Sequence, residues 1–143
     1  NMKNFGNKHV ATYLTTASMQ VAAIGTNHKA LVTNVESLVV LRVHLEVQLD
    51  PSSEVAGAKE ACFVALVYYP HNAPPTLNKS TSLVEPASYS LVQKALSTAN
   101  GVRLVCDHIL YPGDEIHLCG FNPNETGLYS VQAIVKATFT VAN

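Results

Sequence analysis

The feature that most constrains this chain is a strict alternation of side-chain character over residues 38–50. One face of this segment is entirely apolar: Val39, Leu41, Val43, Leu45, Val47 and Leu49. After Val40, the other face is polar: Arg42, His44, Glu46, Gln48 and Asp50. A period of two over twelve residues is produced by a β-strand that is buried on one face only, and a helix does not produce it. The following Pro51-Ser52-Ser53 has turn chemistry and ends the strand.

Other segments predict further strands. Residues 131–141 alternate in the same way, and their second face is mostly polar, which predicts a long strand with one face in water. Residues 61–69 (ACFVALVYY) are apolar on both faces, as in a central strand that is covered on each side. Shorter strands are predicted at residues 103–110 and 115–121, and one or two more within residues 9–24.

Turn residues separate these strands. The turns are predicted at residues 25–28 (GTNH), 111–114 (YPGD) and 122–127 (NPNETG), where Gly, Pro and Asn are concentrated.

One segment, residues 85–98 (EPASYSLVQKALST), departs from the β rhythm. Pro86 suits the first turn of a helix. Leu91, Val92, Ala95 and Leu96 have spacings that place them on one helical face. Asn100-Gly101 then supplies a helix stop. The pattern predicts a short helix in a connection between strands.

Together, the predicted elements are six to eight strands and one crossover helix, and strands do not alternate with helices along the chain. This organisation predicts an all-β fold, an antiparallel two-sheet jelly-roll sandwich with one short crossover helix. A length of 143 residues predicts a single jelly-roll domain over residues 1–143. Because the chain begins with Asn1 and not with Met, residues 1–9 are interpreted as the remnant of an N-terminal arm.

Composition indicates what the surface contacts. Apolar residues make up 48% of the chain and charged residues only 13%, against a usual charged share of about 25%. With so few charges available, we expect part of the apolar surface to be buried against other copies, although a Ser- and Thr-rich monomer is the alternative. The net charge is −1 and there is no Arg-rich run, so the sequence contains no concentrated basic segment of the kind that binds nucleic acid. The longest apolar run is too short to span a membrane, and no membrane partner is expected.

The sequence contains no motif typical of a catalytic or metal-binding site. The six histidines, none of them at metal-ligand helical spacing, are His9, His28, His44, His71, His108 and His117. Three widely spaced cysteines, without CxxC, are typical of reduced, buried thiols: Cys62, Cys106 and Cys119. Phosphate-binding loops and nucleophile turns are absent from the sequence. We therefore expect no catalytic residue, no metal, no cofactor and no enzymatic activity.

Three weaker patterns are kept as alternatives to that expectation. A thiol–imidazole dyad, Cys106 with His117 or Cys119 with His108, is conceivable if the two predicted strands are neighbours. Asp114 and Glu115 could hold a cation at a subunit contact. Tyr68-Tyr69 could stack on bases, although the apolar strand around them favours packing in the core or an interface.

The order of these segments resembles the coat proteins of tymovirus-like plant viruses. The resemblance begins with Val35-Glu36-Ser37-Leu38 leading into a long strand. It continues with residues 61–75, an apolar strand that ends in Pro70-His71-Asn72, and extends over residues 31–142. A short helix, a Pro-containing turn and strand at 111–119, a Pro- and Asn-rich loop and an alternating final strand complete the match.

The resemblance implies a function as well as a fold. It implies an eight-stranded jelly roll that assembles with many copies of itself into an icosahedral shell around single-stranded RNA. The location implied is the virion, assembled in the host-cell cytoplasm. The tymovirus-like group largely lacks a basic arm, which suits a net charge of −1. Lys3, Lys8 and His9, the only N-terminal cations, are expected to face the interior and contact the nucleic acid.

Two other functions remain open at this point. A non-viral β-sandwich binding module, either lectin-like or a trimeric jelly-roll ligand, would carry its site on a loop near Asp114 or at residues 122–126. Two N-x-Ser/Thr sequons, at Asn78 and Asn124, would suit a secreted protein of that kind. A small hydrolase would use Cys106 or Cys119 with a histidine.

Overall fold

Eight β-strands run through the part of the chain that the computed structural model describes, which is residues 9–51, 59–73 and 89–142. They are β1 (His9–Val21), β2 (Gly25–Thr33), β3 (Leu41–Pro51), β4 (Cys62–Tyr69), β5 (Ser90–Leu96), β6 (Val102–Leu110), β7 (Glu115–Asn122) and β8 (Tyr129–Val141). The first sheet has the order β1-β8-β3-β6 and the second sheet the order β2-β7-β4-β5. All pairings are antiparallel. Every connection except β4–β5 passes from one sheet to the other, so the predicted two-sheet jelly roll is confirmed.

The core lies between the sheets and is built from the alternating strands. The apolar face of β3 is buried throughout, and the odd-numbered residues of β8 from 129 to 139 are buried with it. From the second sheet, β4 and β7 contribute Val64, Leu66, Ile116 and Leu118. Each such side chain contributes on the order of 1.5–3 kcal/mol by leaving water. The buried Tyr129 hydroxyl donates a hydrogen bond to Leu96 O at 3.0 Å, so its polar end is satisfied.

Strand β4 is covered on both faces, as its sequence predicts. Val64 and Leu66 lie in the core, whereas Ala65, Val67 and Tyr69 lie on the outer face of the second sheet with the buried Cys119 of β7. No helix in the described ranges is long and apolar enough to cross a membrane.

The predicted helix at residues 85–98 is wrong where the structure describes it. Residues 90–96 form β5, which pairs with β4 from Cys62↔Leu96 to Val67↔Ser90, and residues 85–88 lie outside the described residues. Leu96 is buried, and Leu91 and Val92 pack on the same core. Seven residues with one apolar stripe form a marginal helix, and pairing with an apolar neighbouring strand outweighs that local preference.

The turn predicted at residues 25–28 is displaced. The chain reverses at residues 22–24, and Gly25 already begins β2. The Gly25 amide donates to Ala22 O at 2.9 Å, and a Cβ at Gly25 would lie 2.7 Å from that oxygen. Ile24 takes the positive φ of the turn, 50°, a conformation that β-branched residues rarely adopt. Glycine is therefore needed for the close approach to Ala22 and not for the turn dihedral.

Lysines of the second sheet cap both edges of the first sheet. Lys29 of β2 donates to Ser18 O of β1 at 3.3 Å, and Lys94 of β5 donates to Arg103 O of β6 at 2.8 Å. Asn27 of β2 donates to Gln20 O at 2.8 Å. Edge strands present unpaired backbone groups that template further pairing, so these side chains protect the edges where they reach.

Replacing a core leucine tests this packing. Leu45→Ala is expected to lower the free energy of unfolding by about 2–5 kcal/mol, because it removes a fully buried side chain and leaves a cavity. The matched control is Leu38→Ala at a position that is 86% exposed, where a change of at most about 0.5 kcal/mol is expected. Urea unfolding followed by circular dichroism measures both, and equal losses would contradict the assigned core.

Candidate functional site

The sequence-predicted nucleic-acid contacts fall at the start of the chain. Lys3 and Lys8 lie outside the described residues, so their placement stays a prediction. His9 begins β1 and is paired with Thr140 of β8.

The two thiol–imidazole dyads are not assembled. Cys106 and His108 lie on β6 in the first sheet, whereas His117 and Cys119 lie on β7 in the second. Cys106 packs on the core between the sheets, while Cys119 belongs to the cluster on the outer face of the second sheet. The prediction took consecutive strands as neighbours in one sheet, but the turn at 111–114 carries the chain across the sandwich.

Burial also makes the thiols of Cys106 and Cys62 poor nucleophiles. It raises the pKa of the Cys106 thiol to about 12, with a smaller contribution from the charge of Asp107. The pKa of the Cys62 thiol is raised to about 12 in the same way, opposed by a backbone hydrogen bond from Phe121. A thiol must ionise to attack, so Cys106 is a poor nucleophile for the hydrolase alternative.

A histidine cluster that sequence reasoning missed lies on the outer face of the second sheet. His117 is buried, and its Nε2 lies 2.5 Å from Glu115 Oε1. Its Nδ1 lies 3.2 Å from Nδ1 of His28, which β2 brings alongside β7. With His117 donating from Nε2 to Glu115, its neutral ring accepts at Nδ1 from His28. The β2–β7 pairing joins residues 89 positions apart, so spacing in the sequence could not have revealed this contact.

The cluster does not form a metal centre. In the described ranges, no group of three or more His, Cys, Asp or Glu side chains is arranged to hold a metal ion. The Tyr69 ring lies beside His117, with the ring centroids 5.4 Å apart. Glu115, His28 and Tyr69 thus surround the buried imidazole of His117.

Asp114 lies in the β6–β7 turn and carries a heavily hydrogen-bonded carboxylate. Its carboxylate is fully buried and accepts hydrogen bonds from the Tyr68 hydroxyl, the His71 amide, the His71 ring and the Tyr111 amide. The four distances lie between 2.5 and 2.8 Å. These bonds tie the β6–β7 turn to the end of β4. The predicted cation role of Asp114 with Glu115 is therefore disfavoured, because protein donors occupy one carboxylate and His117 contacts the other.

The pKa of the Asp114 carboxyl follows from these hydrogen bonds and from burial. Burial raises the pKa of its carboxyl, but the hydrogen bonds from Tyr68, His71 and Tyr111 outweigh burial and hold the pKa below its ordinary value of 3.8. Burial, together with the bond to Asp114, raises the pKa of the Tyr68 phenol. The Tyr68 ring also packs against His108, with centroids 4.2 Å apart. Tyr68 and the buried Tyr69 are thus engaged within the fold and not presented as a stacking platform.

The loop at residues 122–127, a predicted site of the binding-module alternative, is held together by two buried asparagines. The Asn122 side chain donates to Val21 O and Gly127 O, each at 3.1 Å. The Asn124 side chain accepts from the amides of Lys59 and Glu60 and donates to Glu60 O and to Asn122. Asn124 is 5% exposed, so its sequon is inaccessible in the folded chain. The Asn78 sequon lies outside the described residues.

His44 lies on the outer face of the first sheet, as its alternation predicts. Its ring contacts Asp107 at 2.9 Å and Glu46 at 3.4 Å, and Glu46 also pairs with Arg103. These groups are largely exposed, so the ion pairs contribute little to stability. They give this part of the surface charges of both signs.

Exposed apolar side chains are the remaining surface feature. Val35 and Leu38, 85% and 86% exposed, project from the loop between β2 and β3, and Tyr111 in the β6–β7 turn is 50% exposed. Asn34 anchors that loop to the β6–β7 turn by donating to Val39 O and Leu110 O. Leu14 and Ile134 are exposed on the outer face of the first sheet. Apolar groups at one end and on one face match the expectation that this surface is covered by other molecules.

Comparison with known proteins identifies the fold. The chain matches no family model and no curated protein sequence. It is similar to the capsid protein of BFDV in a decameric crystal structure, with a TM-score of 0.51 and 7% identity over 91% of this chain and 96% of that one. It is also similar to a chain of the native Kashmir bee virus virion at acidic pH, with a TM-score of 0.50 and 12% identity over 92% and 73%. A chain of infectious bursal disease virus gives 0.49 and 11%, and the match spans 93% of this chain but only 32% of that one.

The likenesses with TM-scores of 0.51 and 0.50 show the fold. It is the jelly roll that the BFDV capsid protein contains over nearly its whole length. Because one fold serves many functions, the fold alone does not assign a role to this chain.

The contribution of the Asp114 hydrogen bonds to stability can be tested, because its change with pH has a known direction. Asp114→Asn is expected to lower the free energy of unfolding by about 2–3 kcal/mol at pH 7, since an amide cannot accept all four bonds. The folded pKa lies below the unfolded value, so the carboxylate's contribution is complete above about pH 4 and is lost as pH falls through the folded pKa. The difference between wild type and variant should therefore shrink in acid.

Urea titrations at pH 7 and pH 2.5 measure this difference. The control is Asp107→Asn, an exposed carboxylate that contacts the partly exposed His44 ring, with an expected loss below about 1 kcal/mol. A difference that grows in acid would contradict the account of Asp114.

Proposed function

We propose that this chain is a viral capsid subunit that assembles with copies of itself into an icosahedral shell around single-stranded RNA. The observation that carries the proposal is an eight-stranded jelly roll whose likeness covers 96% of a capsid protein's length, joined to a surface poor in charge and bearing exposed apolar side chains. The subunit's place is the virion, and we propose that assembly occurs in the host-cell cytoplasm.

The interior of the described chain supports a structural role over a chemical one. Two buried titratable side chains, Asp114 and His117, are hydrogen-bonded to neighbours within the described chain. The thiols at 62 and 106 have raised pKa values. The polar side chains of the loops at 111–114 and 122–127 hold the ends of the sandwich closed. A rigid unit with closed ends suits repeated, identical contacts in a shell.

The finer assignments rest on the sequence. The order of segments over residues 31–142 supports a tymovirus-like plant virus coat, and a net charge of −1 suits a shell whose RNA is neutralised largely by counter-ions. Within this proposal Lys3, Lys8 and His9 face the interior and make the direct RNA contacts.

Assembly is tested on the purified full chain. At neutral pH and moderate salt we expect most of the protein to elute in the void volume of a size-exclusion column and to appear as closed, uniform particles by negative-stain electron microscopy. Bovine serum albumin run at the same concentration controls for crowding on the column. A stable monomer over a range of salt and pH would overturn the proposal.

The RNA content and its contacts are tested separately. Particles should contain nucleic acid that resists added nuclease and is digested by ribonuclease after disassembly. For binding to a single-stranded RNA oligonucleotide, the combined change Lys3→Ala and Lys8→Ala should reduce the slope of log K against log salt by about 1.4, from two lost phosphate contacts at about 0.7 each. The control is Lys136→Ala, at an exposed position on the outer face of β8. This change should leave the slope unchanged. Recovery of DNA, or equal slopes in all three proteins, would contradict this part.

A further inference from the structure

The outer face of the first sheet is divided into a charged half and a nearly uncharged half. The charged half is formed by β3 and β6, whose charged side chains on this face are Arg42, Glu46, Asp50, Arg103 and Asp107. On β8, and on β1 from residue 12 onward, one outward side chain is charged, and it belongs to Lys136. The boundary between the halves runs along the middle of the sheet, between β8 and β3.

Lys136 has no partner in the described chain, although a carboxylate lies next to it. Glu46 is its direct neighbour across the β3–β8 pair. The Glu46 carboxylate instead pairs with Arg103 of β6 and lies 3.4 Å from Nε2 of His44. Within the described ranges, no side chain forms an ion pair or hydrogen bond with the Lys136 ammonium. The cation of the uncharged half is therefore exposed and available to a second molecule.

Lys136 and Glu46 lie in the middle of a row that crosses all four strands. From β1 to β6 the row consists of Leu14, Lys136, Glu46 and Val105. Both ends of the row are apolar and exposed, Leu14 by 69% and Val105 by 42%. Ile134, 55% exposed, lies in the next row. Apolar side chains gathered on one exposed face favour contact with another molecule.

A second copy of the same face complements this pattern. The sheet has four strands, so a two-fold axis that lies in the contact plane and runs along the strands through its middle passes between β8 and β3. This axis places β8 of one copy on β3 of the other, and β1 on β6. Lys136 then faces Glu46 of the second copy, and Leu14 faces Val105.

The other charges of the face also suit this axis. The charged side chains of β3 and β6 face β1 and β8 of the second copy, where Lys136 is the one charge from residue 12 onward, and Lys136 itself faces a carboxylate. An axis across the strands through the same row would set Lys136 against Lys136 and Glu46 against Glu46. Like charges opposed across an interface suppress association, so the charge pattern favours the axis along the strands.

The face has the area that a stable contact needs. Four strands about 4.8 Å apart and the 11 residues of β3 at about 3.3 Å each span roughly 700 Å². A standard protein–protein interface buries about 800 Å² on each partner. Sheets that pack face to face keep their strand directions within about 30°, so the rows match best at the centre of the contact.

We propose that the outer face of the first sheet is a self-association surface, on which two copies pack face to face about a two-fold axis between β8 and β3. Two ion pairs between Lys136 and Glu46 lie at the centre, and Leu14 and Val105 shield them from water on both sides. Complementary charges of this kind specify the partner and the register of the contact. The inference rests on the proposed capsid function for its role in a shell, and it deepens that function by naming one contact between subunits.

Charge reversal in the full chain tests this contact. Glu46→Lys and Lys136→Glu are each expected to weaken dimerisation at least tenfold, because each sets like charges against each other at both ion pairs. An equimolar mixture of the two variants is expected to recover the wild-type affinity, since each lysine then meets a glutamate of the other chain. Sedimentation velocity, at concentrations below those at which larger particles form, measures the affinity.

The mixture separates a contact between chains from a contact within one chain. Positions 46 and 136 of each variant carry like charges, so recovery on mixing cannot come from a repaired pair inside the chain. The matched control, Lys59→Glu with Glu125→Lys, reverses one charge of each sign at exposed positions outside the face and should leave dimerisation unchanged, alone or mixed. Leu14→Ser, which changes no charge, should weaken dimerisation about fivefold. Thermal unfolding of every variant checks that the fold is kept.

Each outcome bears on the inference. Unchanged dimerisation in both charge variants would overturn it, and so would a weakening that mixing does not reverse, because the face would then contact something other than itself. Shells that form equally from wild type and from both variants would remove this contact and leave the capsid proposal standing. Dimers that respond to these variants in a protein that never forms shells would support the contact and remove the capsid proposal.

Discussion

The burial of one continuous apolar face on each sheet is the constraint on which the rest of this structure depends. Strands β3 and β8 place every second side chain between the sheets, and β4 and β7 meet them from the opposite side. A sandwich of this kind is open at both ends, where strands stop and backbone groups lose their partners. Buried polar side chains close those ends. Asp114 and Asn34 act at one end, and Asn122 and Asn124 at the other.

Much of the fold could be predicted from the sequence because burial in a strand leaves a period of two. The apolar face of β3 and the doubly covered β4 were predicted at nearly their observed limits. The helix at 85–98 was wrong because its signal is local, whereas the partner that makes residues 90–96 a strand is the apolar β4. The turn at 25–28 was displaced because Gly25 is required for the close approach to Ala22, which sequence alone does not distinguish from a turn glycine.

The candidate sites were harder to predict because they depend on which strands are neighbours. The cysteine and histidine pairs fall on different sheets, since the chain crosses the sandwich between β6 and β7. The contact of His28 with His117 arises from a pairing between distant segments. The hydrogen bonds to Asp114 come from Tyr68 of β4 and from Tyr111 in its own turn. What the sequence did indicate is the character of the surface. Its low charge corresponds to exposed apolar side chains and to an uncharged stretch of β1 edge.

These features describe a unit whose buried polar side chains hold its own ends and whose exposed apolar side chains support the proposed assembly with copies of itself. The most direct measurement of that claim is electron cryomicroscopy of the full chain at neutral pH, at a resolution that separates β-strands. The account predicts closed shells with icosahedral symmetry, in which the eight-stranded jelly roll fits the repeating density without a change of strand order. A protein that stays monomeric, or forms only small oligomers whose density contains no shell, would contradict it.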